Sequence, residues 1–126
     1  MKGGKRVRTA LRTFAFAFPG AWEDHPWGES VAKVDKKVFA FFGVEGHASM
    51  HLKLPHSGDA ALGVRGAEPT GYGLGKAGWV TIPLDGELPP IEILREWIEE
   101  SYRAVATKKR AKELDERYDV RRSARS

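Results

Sequence analysis

Three histidines, His47, His51 and His56, fall within ten residues of one another, and Ser49 and Asp59 lie among or beside them. Such a group could be a metal site or a serine–histidine–aspartate triad. Spacing argues against both. His47 and His51 stand four apart in a stretch that reads as a strand, which separates their side chains by roughly 13 Å. No carboxylate pattern completes a zinc site, so no metal is expected. A triad drawn from Ser49, His51 and Asp59 lacks the turn that exposes such a nucleophile. Five glycines crowd Arg65–Gly78, but no Gly-Lys-Ser/Thr follows them, so they form no phosphate loop. The chain has no cysteine, which removes thiolate catalysis, disulfides and iron–sulfur clusters together. No nucleophile, base and metal set can be named, so no enzyme is expected.

Cations offer binding rather than catalysis. The net charge is +4, from 21 bases and 17 acids. Residues 1–12 and residues 103–126 each carry +5, and the body between them carries −6. One candidate nucleic-acid surface is therefore Arg6, Arg8 and Arg12 near the N-terminus with Lys108, Lys109 and Arg110 near the C-terminus. If two terminal helices lie side by side, these bases form one strip able to contact phosphates. A second candidate is a pair of loops, Lys36-Lys37 and Lys76, that could straddle a duplex. Solvated helix faces and ordinary turn lysines are the plainer readings of the same residues.

A third candidate mixes aromatic and charged groups: Trp27, Lys53, Tyr72 and Trp79, with Glu23 nearby. Lys53 and Trp79 both project away from the apolar face of their strands. On an uncovered sheet face they could stack a base or hold a small anion. The alternative is a structural cluster that covers the sheet and pairs Lys53 with Glu23.

The elements that must position these residues follow from periodicity. Val7, Leu11, Phe14 and Phe18 make a helical stripe over 5–18, ended by Pro19-Gly20. Residues 21–28 read as a loop. Strands are expected at 29–35, 38–42, 49–54 and 79–84. The second is apolar on both faces and so central. The third alternates strictly, with Met50, Leu52 and Leu54 inward. A short helix covers 60–64, and 65–78 is a loop. Pro89-Pro90 opens a long helix reaching about Leu114, its acids first and its bases last, in accord with the helix dipole. Residues 115–126 read as a basic, frayed tail beyond a single domain of residues 1–114. The fold class is α+β: an antiparallel sheet flanked on one face by an N-terminal and a long C-terminal helix.

At 126 residues and 41% hydrophobic content the chain can bury a core without staples. No apolar run suits a membrane span, and Arg12 interrupts any signal-peptide core, so a cytoplasmic location is expected.

Short stretches in order carry a family resemblance: Phe18-Pro19-Gly20-Ala21 with Glu23, Pro26-Trp27-Gly28, Lys37-Val38-Phe39-Ala40, and Leu52-Lys53-Leu54. Tyr72 with Lys76, Gly78-Trp79-Val80, Leu84-Asp85-Gly86 and Ser101-Tyr102 continue the series. The chain resembles the MmcQ/YjbR family. That resemblance implies a frataxin-like fold with a double-wing DNA-binding motif, DNA as partner, and no cofactor. A small-molecule or protein-binding domain using the aromatic and lysine face is the alternative function.

Overall fold

The computed structural model describes every residue except Met1, Glu45, His47, Tyr72, Arg125 and Ser126, with backbone alone for Lys2, Gly3 and Trp27. Helix α1 (Lys2–Phe16) leads into strands β1 (Ala21–Asp24), β2 (Ser30–Val34), β3 (Lys37–Gly43) and β4 (Ser49–Lys53). A short helix α2 (Gly58–Leu62), the two-residue β5 (Glu68–Pro69) and β6 (Trp79–Pro83) follow. Helices α3 (Ile91–Val105) and α4 (Lys108–Ala124) close the chain. The six strands form one sheet in the order β1-β2-β3-β4-β6-β5, every neighbouring pair antiparallel. The architecture is α+β.

The apolar patterning decides which face is covered. Met50, Leu52 and Leu54 are buried, as their alternation predicts, and meet Leu11 and Ala15 of α1 and Leu94 and Ile98 of α3 in one core. Phe18 stacks on Tyr102 with ring centroids 4.7 Å apart, and Phe39 meets the same tyrosine edge-on at 5.3 Å. Burying side chains of this size removes roughly 150–250 Å² of each ring from water, so this trio anchors α3 to the sheet and to the end of α1.

β3 owes its doubly apolar character to two register shifts against β2. Ser30 pairs with Gly43 and Val31 with Phe41, which leaves Phe42 as an extra residue. Ala32 pairs with Ala40 and Lys33 with Val38, which leaves Phe39 extra. Each bulge turns a phenylalanine toward the helices.

Three elements differ from expectation. Residues 21–24 form an edge strand, not a loop, because they find the free side of β2. The long C-terminal helix is two. Ala106 is extended, and the Thr107 side-chain oxygen accepts from the Arg110 N–H at 3.3 Å, an N-cap that starts a second helix. The stretch expected to fray, from residue 115 on, continues α4 to Ala124. Its Tyr118 hydroxyl meets Glu99, Arg103 pairs with Asp115 at 2.8 Å, and Leu114 is buried. The pairing of 99 with 118 and 103 with 115 makes α3 and α4 an antiparallel hairpin.

Candidate nucleic-acid interface

Strand direction sorts the basic residues. β3 begins at Lys37, β4 ends at Lys53 and β6 begins at Trp79, with Lys53 and Trp79 in register. The β2–β3 turn and the 3₁₀ turn Leu74–Ala77 therefore leave the sheet at the same end. Their strands, β3 and β6, are two places apart, about 10 Å across the sheet. Lys36, Lys37 and Lys76 are all exposed there.

The start of α4 joins this end through Arg110. Its guanidinium reaches Asp35 with contacts of 2.8 and 3.2 Å and Glu113 at 2.8 Å. Asp35 occupies the two-residue β2–β3 turn with φ of 55°, a left-handed conformation that aspartate tolerates. Hydrogen bonds from Arg110 hold the Asp35 carboxyl below the usual carboxylate range, and the charge of Lys109 adds to the effect. The arginine side chain lies against Gly20, so a Cβ there would make it shift. The φ of 72° is what favours glycine at this position. The pair staples the first turn of α4 to the hairpin and so brings Lys108 and Lys109, both exposed, beside Lys36 and Lys37.

The N-terminal arginines do not join this surface. Gly4 lies against Ala48 and Asp85, at the opposite end of the sheet. α4 touches the chain just past the end of α1, where Arg117 donates to the Ala17 carbonyl oxygen at 2.6 Å and Arg110 covers Gly20. Twelve residues of helix, about 18 Å, separate Lys5 from Ala17. Among the described residues the single strip expected from both chain ends does not form: α4 meets the chain just past the C-terminal end of α1, while Lys5 and Arg6 lie toward the other end of that helix. Arg6 is exposed but at the wrong end. Arg8 is 7% exposed and donates to the carbonyl oxygens of Phe42 at 2.8 Å and Gly43 at 3.0 Å. Arg12 pairs with Glu23 and donates to the Ser30 hydroxyl at 3.1 Å. Both are structural, as is Arg110.

The aromatic cluster divides in two. Lys53 and Trp79 lie side by side on the face that α1 and α3 leave uncovered, as expected. Trp79 is only 7% exposed and packs edge-on against Phe41 at 5.3 Å, so it offers no free ring. Glu23 is on the other face, where it pairs across from the buried Ala32. Burial would raise its pKa, but hydrogen bonds from Ser30 and Arg12 and the Arg12 charge outweigh that and lower it. It therefore neither joins Lys53 nor repels a ligand on the uncovered face. Tyr72 and the Trp27 side chain lie outside the described residues, as does His47.

Residues that patterning missed complete the picture. Next to Lys53 and Trp79 on the uncovered face, Thr70, Thr81 and His51 form a chain of contacts at 3.0 and 2.8 Å. Burial lowers the His51 pKa, which favours the neutral ring, although the charge of Glu29 partly opposes this. Trp22, read as loop, lies on β1 and is 44% exposed. A shallow cleft of about 240 Å³ runs past Trp79, His56 and Asp59. That is less than the roughly 300 Å³ at which small-molecule sites begin. Among the described residues, no group of three histidines, aspartates or glutamates could hold a metal, and no helix is long and apolar enough to cross a membrane.

The model of the YjbR family matches residues 16–104. Comparison with curated proteins finds no match.

Proposed function

The chain belongs to the YjbR family, and from that premise we propose that it binds DNA without catalysis, by gripping phosphates at one end of its sheet. The observation that carries this reading is the convergence of Lys36, Lys37, Lys76, Lys108 and Lys109 at that end. None of the five makes an ion pair with a described residue. The acid in the β2–β3 turn is matched, since Asp35 holds Arg110 at 2.8 Å. Asp59 near Trp79 and Glu68 on β5 are exposed and oppose the field of these lysines. Two lysine-bearing turns at one end of the sheet can meet phosphates of one backbone or of both. Lysine contacts to phosphate carry no sequence information, so the expected sequence selectivity is low.

Fluorescence anisotropy with labelled duplex DNA across a salt series tests the proposal. Four or five phosphate contacts predict a log–log salt slope of about −4. Lys36→Glu with Lys37→Glu should flatten that slope by about two. Lys5→Glu with Arg6→Glu, at the far end, should change it little. Absence of binding at low salt, or binding with no salt slope, would end the idea.

A further inference from the structure

We infer that this basic end accepts an unpaired base on Trp22, so that single-stranded DNA binds better than duplex. The inference rests on the DNA-binding reading above and specifies its ligand.

Trp22 is the one large aromatic among the described residues that is exposed, at 44%. It sits on the edge strand β1, opposite Lys33 of β2. Its indole N–H donates to the Asp35 carbonyl oxygen at 2.7 Å, which fixes the ring against the β2–β3 turn. The ring is thus held in place without being buried. A fixed aromatic pays little ordering entropy when a base stacks on it. The hydrogen bond also places the ring beside the turn that carries Lys36 and Lys37, and the Asp35–Arg110 pair brings Lys109 to the same turn.

Charge around the ring favours a polyanion. Lys33 Nζ lies over one face of the ring, 5.3 Å from its centroid, so a base would stack on the other. The nearest carboxylates, Asp24 and Asp35, are each held by a cation, Lys33 and Arg110. Glu23 is on the opposite face of the strand, tied to Arg12. A planar stacking surface next to uncompensated lysines is the arrangement that binds single strands without reading sequence. In a duplex the bases are stacked inside and cannot reach such a ring without the cost of unstacking, whereas a single strand presents them freely.

The test compares the full chain and its variants on labelled oligo-dT and on a duplex of equal length, by anisotropy at fixed low salt. The wild type should bind oligo-dT more tightly. Trp22→Ala should weaken oligo-dT binding about tenfold or more and leave duplex binding unchanged. Trp22→Phe should restore most of the loss, because it keeps a ring. Should the alanine variant fail to fold, Trp22→Leu, which keeps apolar bulk without a π face, is read in its place. An unchanged oligo-dT affinity in a folded variant overturns the inference. So does an equal loss on both ligands. In either case a loss caused by Lys36→Glu with Lys37→Glu leaves the phosphate reading standing. A wild type that binds neither ligand overturns both.

Discussion

The hydroxyl of Ser101 donates to the carbonyl oxygen of Phe39 at 2.5 Å and accepts from the backbone N–H of Lys53 at 2.8 Å. It replaces a rung of the sheet. The β3–β4 ladder runs through Phe41–His51 and Ala40–Leu52, and the next rung would join Phe39 to Lys53. The bulge at Phe39 interrupts it, and a side chain from α3 fills the gap. The other bulge is served in the same way, since the Phe42 carbonyl accepts from Arg8 of α1. Each bulge in β3 therefore exposes a backbone oxygen toward a helix, and each helix supplies one donor.

Ser101→Ala should leave the Phe39 oxygen and the Lys53 N–H without a partner in a buried site. An unsatisfied buried group costs about 1–3 kcal/mol, so a loss of that order is expected. Urea unfolding of the variant measures it as a lower midpoint at an unchanged slope. DNA affinity at a temperature where the variant is folded should not move.

Arg8 and Arg6 give opposite outcomes although only two residues separate them. Arg8→Met removes a charged donor from two backbone oxygens, and bonds of this kind contribute about 1.5–3 kcal/mol. Arg6→Met, on an exposed position, should stay within about 0.5 kcal/mol of the wild type. Thermal unfolding of the two variants side by side checks both. Equal effects would mean that the burial of Arg8 is not what holds α1 to β3.

Much of this was legible in the residues. The stripes of α1 and α3, the alternation of β4 and the central place of β3 follow from apolar spacing alone. A stripe of apolar residues alone hides the place of Arg8. Arg8 lies one heptad before Ala15, so it shares the face of a fully buried residue. Glu23 and Asp24 weaken any strand pattern over 21–24, and the free edge of β2 is what makes those residues a strand. The break between α3 and α4 had a signal, the cap Thr107, but the run of helix formers around it hid the stop. Lys36-Lys37 and Lys76 are readable as two basic loops, but that both leave the same end of the sheet is not. It depends on β6 pairing with β4, a long-range choice that no local spacing encodes.

Tyr102 should mark the alkaline limit of the fold. Burial pushes its phenol up to about 12, and its hydroxyl donates to the buried Pro19 carbonyl at 2.6 Å. The folded state thus holds this proton more tightly than the unfolded chain, where the pKa is about 10. Its contribution is full below about pH 10 and is lost as pH rises through 12. Tyr102→Phe should cost about 1–3 kcal/mol at neutral pH, because the Pro19 oxygen loses its donor. The variant should also lose part of the decline in stability above pH 10. Thermal melts from pH 8 to pH 11 distinguish the two, and parallel curves for variant and wild type would refute the assignment.

At the acid end the sign reverses, and Asp35 is the residue to watch. Arg110 holds its carboxyl below the ordinary range, so the folded state favours the charged form. The stabilisation is therefore present above the unfolded pKa of about 3.9 and is lost as pH falls through the folded value. α4 depends on such contacts, because Leu114 is its one buried residue. Asparagine tolerates the left-handed turn conformation of Asp35, so Asp35→Asn removes the charge without straining the hairpin. At pH 7 the variant should melt slightly below the wild type, since the pair is exposed and screened by solvent. The gap should begin to narrow below about pH 4 and close as pH falls through the lowered folded value, where the wild-type carboxyl also becomes neutral. At pH 7 the same variant should bind DNA no worse than wild type if α4 stays docked, because it removes a negative charge from beside Lys36 and Lys37. A clear loss of affinity in Asp35→Asn would show instead that the Arg110 staple must be intact to hold Lys108 and Lys109 where phosphates can reach them.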